Sequence, residues 1–270
     1  GAALRGRARE TFVLSTKVGR RLDPCAPGEQ AAGIYVDVPP VRARFDYTHD
    51  GVMRSFEESR ARLGLDRIDI LYVHDVDAQT HGSEDSADAR LRELLDQGGW
   101  RALDTLRRSG DVRAIGAGVN ACRPCERLLE WADPDLFLLA GRYTLLDRSA
   151  QTRLLPACEA RGVGVVIGGP YNSGVLATGA VPGARYDYAP ASDEILQQVR
   201  SLEAVCREHG VRLADAALQF PTTHPAVVSV IPGGQTADEV KRNAAGFKAP
   251  LPPALWPALD AVLPRQPAKA

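Results

Sequence analysis

A histidine and two aspartates follow a short, mostly apolar segment of this 270-residue chain. Five of the seven residues in the segment 67–73 are apolar, and the segment runs directly into His74, Asp75 and, two residues later, Asp77. An apolar run bounded by polar residues is typical of a strand buried on both faces in a parallel sheet. In an α/β barrel the C-terminal ends of the strands carry the active site, so His74 is the first candidate for chemistry.

Imidazoles and carboxylates bind metals, so His74, Asp75 and Asp77 raise the hypothesis of a metal-dependent hydrolase. That hypothesis is weak because no other predicted strand end contributes a histidine or a paired carboxylate. A buried histidine bonded to a backbone carbonyl is the structural alternative, and it would be preferred for His74 alone. Lys17 shifts the balance towards chemistry because it ends another predicted strand, 11–16. An ordinary surface lysine explains Lys17 equally well from the residues alone.

Alternating strands and helices must position these side chains. Further strands are predicted at 112–119, 135–140, 163–167 and 227–231. Helices are predicted at 49–63, 100–109, 123–131, 149–161, 192–209, 213–220, 236–245 and 253–263, with Gly64, Ser192 and Thr236 as caps. Two segments, 18–46 and 75–99, are predicted loops, and the second contains a helix at 86–96. This order predicts α/β architecture with βαβ units and a parallel sheet in one domain, 1–270.

The six predicted strands are two fewer than a (β/α)8 barrel requires. A parallel sheet that stopped at six strands would leave two edges with unpaired backbone groups. We therefore expect a TIM-barrel type fold in which two βα units of roughly 30 residues each precede Gly1 and are absent here.

Composition narrows the partners. The net charge of −1 argues against nucleic acid and anionic membranes, and no apolar run approaches the ~18 residues of a membrane span. Five cysteines and no visible signal peptide favour reduced thiols in the cytoplasm. The solitary pair Cys122 and Cys125 lacks the second pair that a zinc site needs, so no metal is expected. The oligomeric state is not indicated.

Four short motifs occur in the order and spacing of one known family: STKVGR at 15–20, YVHD at 72–75, IGAGVN at 115–120 and IPGG at 231–234. Together they resemble the aldo-keto reductases, and the segments 50–69 and 219–233 resemble the branch containing D-threo-aldose 1-dehydrogenase, L-fucose dehydrogenase and pyridoxal 4-dehydrogenase. The resemblance covers essentially the whole chain. It implies a (β/α)8 barrel that binds NAD or NADP and transfers hydride between nicotinamide and an aldose or a related aldehyde or alcohol.

The family uses a tetrad of Asp, Tyr, Lys and His, of which Lys17 and His74 match the last two. In that role Lys17 lowers the pKa of the tyrosine hydroxyl, and His74 orients the substrate oxygen. The tetrad Asp and Tyr would lie upstream of Gly1, so we expect no turnover by this chain unless the upstream units are restored. Tyr35 and Tyr47 are poor substitutes for the missing proton donor.

The resemblance also implies cofactor-binding positions. Asn120 matches the asparagine that bonds the nicotinamide carboxamide, with a helix N-cap as its structural alternative. Glycine-rich segments after two strands suit close approach of the cofactor phosphates. The candidate cofactor-binding residues are Asn120, Gly168, Gly169, Tyr171, Gly174, Gly233, Gly234, Glu239 and Asn243. Tyr171 is a candidate to replace the usual tyrosine that stacks on nicotinamide, and a plain turn is the alternative for the segment around it.

Relatives that prefer NADP carry basic residues at positions matching Gly233 and Glu239. The acidic Glu239 would repel a 2′-phosphate, so NAD is favoured, although Glu239 equally suits a pure capping role. The alternative function is a non-catalytic, nucleotide-binding or regulatory relative of the same fold. The substrate itself, a small carbonyl compound or sugar, depends on loops and is not indicated by the scaffold.

Overall fold

The computed structural model of the chain describes residues 1–30 and 36–263. The chain divides into two compact units. The first comprises Gly1–Val119 and Arg123–Phe137, and the second comprises Asn120–Cys122 and Leu138–Ala270. The single domain expected from the sequence stays a prediction. Tyr35 lies outside the described residues.

The first unit contains the first half of the predicted strand–helix alternation. Short 3-10 turns at Ala2–Leu4 and Arg9–Thr11 precede its first strand. Its strands and helices are β1 (Ser15–Val18), β2 (Arg20–Pro24), β3 (Val41–Phe45), α1 (His49–Leu63), β4 (Ile70–His74), α2 (Ala78–His81), α3 (Glu84–Asp96), α4 (Gly99–Ser109), β5 (Ala114–Val119), α5 (Cys122–Trp131, whose first residue belongs to the second unit) and the start of β6 (Leu136–Ala140).

Parallel pairing holds the strands of the first unit in the order β1-β4-β5-β6. Lys17 pairs with Tyr72, and His74 pairs with Gly118, so the polar ends of β1 and β4 lie at one edge. Both faces of these strands are covered, since Leu71, Val73 and Ile115 have no exposed surface. This is why the strands consist mostly of apolar residues.

The second unit continues the alternation. Its strands and helices are the end of β6, α6 (Leu154–Arg161), β7 (Gly164–Gly168), α7 (Val175–Thr178), β8 (Arg185–Tyr186), β9 (Ala189–Pro190), α8 (Asp193–Glu208), α9 (Leu213–Gln219), a 3-10 turn (Phe220–Thr223), β10 (Val227–Ile231), α10 (Ala237–Lys248) and α11 (Leu255–Val262). Here the parallel order is β6-β7-β10, and Ile231 pairs with Gly168.

Local capping signals explain where several helices begin and end. Ser192 accepts a hydrogen bond from the Ile195 amide and caps α8. Thr236 accepts a hydrogen bond from the Glu239 amide and caps α10. Gly64 ends α1 in the left-handed conformation at φ 63°. These are the caps that the sequence predicted.

Three sequence predictions are corrected by the structure. The first strand is Ser15–Val18 rather than 11–16, so Lys17 lies within it instead of following it. The predicted loop 18–46 contains the antiparallel pair β2 and β3, and a second pair, β8 and β9, also went unpredicted. The helix expected at 149–161 begins only at Leu154. Within the described residues, no helix is long and apolar enough to cross a membrane.

Candidate active site

Lys17 and His74 converge at one edge of the first unit. The two residues and Gly118 project from the same face, because Lys17 pairs with Tyr72 and His74 with Gly118 across adjacent strands with a side-chain period of two. A Cβ placed on Gly118 would lie 3.1 Å from Cε of Lys17. The Lys17 side chain therefore lies across β4 and against Gly118 of β5, towards His74.

Burial and nearby cations keep the imidazole neutral. The side chain of His74 is 25% exposed, and burial, followed by the charges of Lys17 and Arg20, lowers its pKa to about 3, against a weaker opposing effect of Asp77. A neutral imidazole donates one hydrogen bond and accepts another. It can therefore orient a substrate oxygen, which is the role that the resemblance assigns to His74.

Tyr47 supports the backbone at His74. Its hydroxyl donates to the His74 carbonyl oxygen at 2.8 Å and lies 3.2 Å from Nε2 of His81. Tyr47 has no exposed surface, and burial raises the pKa of its hydroxyl, with the charge of Asp75 adding to the effect. The Tyr47 hydroxyl is thus buried and bonded to the backbone of His74, so it does not reach the substrate side of the strand edge. This argues against Tyr47 as the substitute proton donor.

The two aspartates that follow His74 have different surroundings. The Asp77 side chain is buried and accepts from the Thr80 amide at 3.0 Å, so it caps α2. Asp75 adopts a left-handed backbone conformation with φ 49°, and its amide donates to the Gly118 carbonyl at 2.9 Å. Among residues 1–30 and 36–263, no group of three His, Cys, Asp or Glu side chains is placed to hold a metal ion.

The electrostatic coupling between Lys17 and His74 yields a prediction. Because the Lys17 charge helps to lower the pKa of His74 to about 3, Lys17→Met should raise that pKa, while burial and Arg20 still hold it below its ordinary value. The measurement is the imidazole Cε1 chemical shift of His74 followed by NMR from pH 8 to the acid limit of the folded state.

Lys248→Met is the control, because Lys248 is exposed at the end of α10. We expect the His74 signal to be flat above pH 5 in the wild type and the control, and to begin titrating at higher pH in Lys17→Met. A wild-type midpoint near pH 6.5 would contradict the proximity of the two groups.

The second unit holds the predicted cofactor residues. The carbonyl oxygen of Asn120 accepts a hydrogen bond of 2.6 Å from Nε of Arg142. The same guanidinium bonds Asp147 and Asp187, at 3.0 Å each. Helix α5 begins at Cys122, two residues after Asn120, so Asn120 is not the residue directly before it. Arg142 therefore anchors the strand end that carries Asn120.

The segment 168–174, at the end of β7 and after it, contains several left-handed backbone conformations. Gly169, Asn172, Ser173 and Gly174 all have positive φ, and a Cβ on Gly174 would meet nothing within 4 Å. The Gly168 carbonyl accepts from the Gly141 amide at 2.9 Å. Glycines at 169 and 174 leave this backbone uncovered, as close approach of a phosphate requires, whereas Gly168 is buried against Leu138 and Ala140.

Tyr171 and Asn243 connect that segment to the start of α10. The Tyr171 hydroxyl donates to Asn243 at 2.9 Å, and the Asn243 amide donates to the Gly233 carbonyl at 3.0 Å. The structure thus brings Tyr171, Asn243 and Gly233 together, with Gly234 nearby, since a Cβ there would lie 3.9 Å from Asn243. The proposed stacking of Tyr171 on nicotinamide stays a prediction.

Glu239 takes part in a cap at the beginning of α10. Its amide donates to Oγ1 of Thr236 at 3.2 Å, and its carboxylate accepts from the Gln235 amide at 2.7 Å. The capping role weighed for Glu239 is thus real, and its charge lies on the exposed first turn of the helix.

These residues suit a dinucleotide. A Cβ on Gly233 would meet nothing within 4 Å, and α10 begins four residues later at Ala237, so the backbone before this helix is accessible to an anionic group. When bound, nicotinamide supplies the hydride chemistry. Asn120, the 168–174 segment and the start of α10 are the residues that would hold such a cofactor.

The sequence did not reveal Arg142, Asp187 or Gly118 as parts of these sites. Arg142 and Asp187 are 45 residues apart, and no local pattern links them. Gly118 lies within a predicted strand, where its missing side chain has meaning only once Lys17 is seen against it.

The model of the Aldo/keto reductase family matches residues 1–264. The chain is 39% identical to pyridoxal 4-dehydrogenase of Microbacterium luteolum, covering 93% of this chain and 75% of that protein. It is 37% identical to D-threo-aldose 1-dehydrogenase of a Pseudomonas species, covering 95% and 76%. A solved aldo-keto reductase of Bacillus halodurans in its holo form superposes with a TM-score of 0.73 at 21% identity, covering 97% of this chain and 76% of that one.

The chain belongs to the aldo/keto reductase family. The predicted family, the α/β TIM-barrel type of fold and the oxidoreductase class are thereby confirmed. Members of this family use NAD or NADP, and its substrates are small carbonyl compounds or sugars. The roles assigned to individual residues remain predictions.

Proposed function

We propose that this chain belongs to an NAD-preferring dehydrogenase that acts on an aldose or a related aldehyde or alcohol. The convergence of Lys17 and His74 at one strand edge carries the proposal, because a neutral imidazole beside a lysine ammonium can orient and polarise a substrate oxygen. Two relatives support the substrate class, since their names are those of pyridoxal and aldose dehydrogenases.

The preference for NAD is argued from charge. Glu239 places a carboxylate in the first turn of α10, and Gly233 offers no cation to pair with a 2′-phosphate. Two negative charges about 4 Å apart repel by about 4 kcal/mol at an effective dielectric constant of 20, and by less at an exposed position. The carboxylate position therefore disfavours NADP more than NAD.

A substrate panel tests the activity. Aldoses, pyridoxal and simple aldehydes are assayed with NAD and NADP. The two proteins compared are the 270-residue chain and a longer form that carries two further βα units before Gly1. We expect hydride transfer only in the extended form, since the family tyrosine is absent from the printed sequence. Turnover by the printed chain would mean that another residue supplies the proton path. Cofactor binding without turnover in either form would favour the regulatory alternative.

Cofactor preference is tested by binding, which does not depend on turnover. We expect NADH to bind the wild type at least 10-fold more tightly than NADPH, as read from the fluorescence of the reduced cofactor. Glu239→Gln should reduce the difference in affinity between NADH and NADPH, because glutamine keeps the capping acceptor for the Gln235 amide and removes the charge.

The control is Asp193→Asn, which removes a carboxylate from the first turn of a different helix, α8. It should leave the NADH to NADPH ratio as in the wild type. Tighter binding of NADPH than NADH by the wild type would overturn the stated preference.

A further inference from the structure

The carboxylate of Asp75 lies beside the imidazole of His74. Nε2 of His74 is 3.2 Å from Oδ2 of Asp75, and Nη1 of Arg20 is 3.5 Å from the same oxygen. The side chains of His74 and Asp75 are 25% and 17% exposed, so both remain accessible at the strand edge. An oxygen oriented by His74 would therefore also meet a carboxylate.

The surrounding backbone holds Asp75 in this position. Its φ of 49° is a left-handed conformation, which aspartate and asparagine tolerate better than most residues. Its amide donates to the Gly118 carbonyl, and the carbonyl of the preceding His74 accepts from Tyr47. The peptide between His74 and Asp75 is thus bonded on both sides, which fixes the backbone from which the two side chains project.

The pair discriminates between two kinds of substrate oxygen. The Nε2–H of a neutral imidazole donates, whereas a carboxylate only accepts. A hydroxyl placed between Nε2 of His74 and Oδ2 of Asp75 replaces their direct contact: it accepts from His74 and donates its hydrogen to Asp75, which satisfies both groups. A carbonyl oxygen can only accept, so its lone pairs would face the negative carboxylate. Removing a hydrogen-bond partner from a buried polar group is what makes such sites reject close analogues.

We propose that Asp75 is a specificity-determining residue, whose carboxylate accepts the anomeric hydroxyl of a cyclic aldose and so selects hemiacetal sugars over free carbonyl compounds. This inference rests on the proposed function and names the substrate form for it. An enzyme cannot change the equilibrium of one reaction, so the selection acts between different ligands and not between the two directions of one conversion.

The test compares matched ligands on matched variants. L-Fucose, D-arabinose and L-galactose are titrated in the presence of NAD against their 1,5-anhydro analogues, which lack only the anomeric hydroxyl, with binding followed by calorimetry and ligand-observed NMR. Benzaldehyde serves as the carbonyl-only probe. Asp75→Asn is the variant, because asparagine keeps the size and the tolerance for positive φ.

In the wild type we expect at least one aldose to bind more tightly than its anhydro analogue. Asp75→Asn should weaken the binding of that aldose roughly 10- to 100-fold, as expected for losing a hydrogen bond to a charged group. The affinity for the anhydro analogue should change little, and benzaldehyde should bind as well as in the wild type or better. The control is Asp50→Asn, in the other His-Asp dipeptide, where Nδ1 of His49 lies 3.1 Å from an aspartate that is 73% exposed. It should change nothing.

Each contrary outcome is decisive. Equal weakening of the aldose and its anhydro analogue would make Asp75 a structural residue and overturn the inference. So would a wild type that binds NAD but does not distinguish the two ligands, or an Asp50→Asn variant that behaves like Asp75→Asn. Failure of the wild type to bind any reduced or oxidised cofactor would instead overturn the proposed function.

Discussion

Asp69→Asn should lower the free energy of unfolding by about 3 kcal/mol, corresponding to a Tm decrease of roughly 6–12 °C. Asp69 is 1% exposed and accepts hydrogen bonds from the Leu14 amide at 2.8 Å and from the Arg9 guanidinium. It also forms an ion pair with Nε of Arg67 at 3.1 Å. Its own carbonyl accepts from the Arg113 amide at 2.8 Å. This one residue joins the beginnings of β1, β4 and β5, and the neutral amide would leave partly buried cations without their counter-charge.

The pH dependence of the effect has a definite sign. Burial alone would raise the pKa of Asp69, but the bonds from Arg9 and the Leu14 amide and the nearby cations lower it overall from 3.8. A carboxyl with a depressed folded-state pKa stabilises the fold above its unfolded value and loses that contribution as the pH falls through the folded value. The difference between wild type and Asp69→Asn should therefore be full at pH 7 and shrink below about pH 4.

Asp66→Asn is the matched control, since Asp66 is exposed and lies three residues earlier in the chain. Urea unfolding followed by circular dichroism should separate the two variants by about 3 kcal/mol at pH 7, and thermal unfolding should separate them by several degrees. Equal stability of both variants would mean that the buried ion pairs contribute nothing net.

Features encoded in a few consecutive residues were predicted from the sequence. The helix α8 has its cap at Ser192, α10 has Thr236 and Glu239, and α1 ends at Gly64. Each signal acts within one helical turn, so it can be recognised in the sequence without knowledge of the fold. The strand ends at His74 and Asn120 were found for the same reason, because a buried apolar run stops abruptly at a polar residue.

Features that depend on distant partners were missed. The first strand was placed too early because Phe12 and Val13 favour strands, yet pairing with β4 starts only at Ser15 and Arg9 lies over the Phe12 ring. The β8–β9 pair turns through Asp187 and Tyr188, both at positive φ, without the Asn-Gly signal that usually marks such turns. Tertiary contacts decided the first case, and the second is a local turn without the residues that usually mark one.

Gly116→Ala should destabilise the first unit by more than about 4 kcal/mol, enough to impair soluble expression. A Cβ on Gly116 would overlap the Leu136 carbonyl oxygen and lie 2.8 Å from the carbonyl carbon. Backbone atoms of a paired strand cannot move aside as a flexible side chain can, so β5 and β6 would have to separate. The measurement is the soluble yield and the Tm by circular dichroism.

Gly118→Ala is the informative partner of that variant, because it lies two residues further along the same face of β5. Its added Cβ would meet Cε of Lys17 at 3.1 Å and Cβ of Tyr72 at 3.5 Å, and the lysine side chain can shift by the few tenths of an ångström required. Gly118→Ala should therefore fold with a Tm within a few degrees of the wild type. It should also move the Lys17 ammonium relative to His74, so the His74 imidazole signal should change while stability hardly does. Equal loss of stability in both glycine variants would show that strand flexibility, rather than the Leu136 carbonyl, is what Gly116 provides.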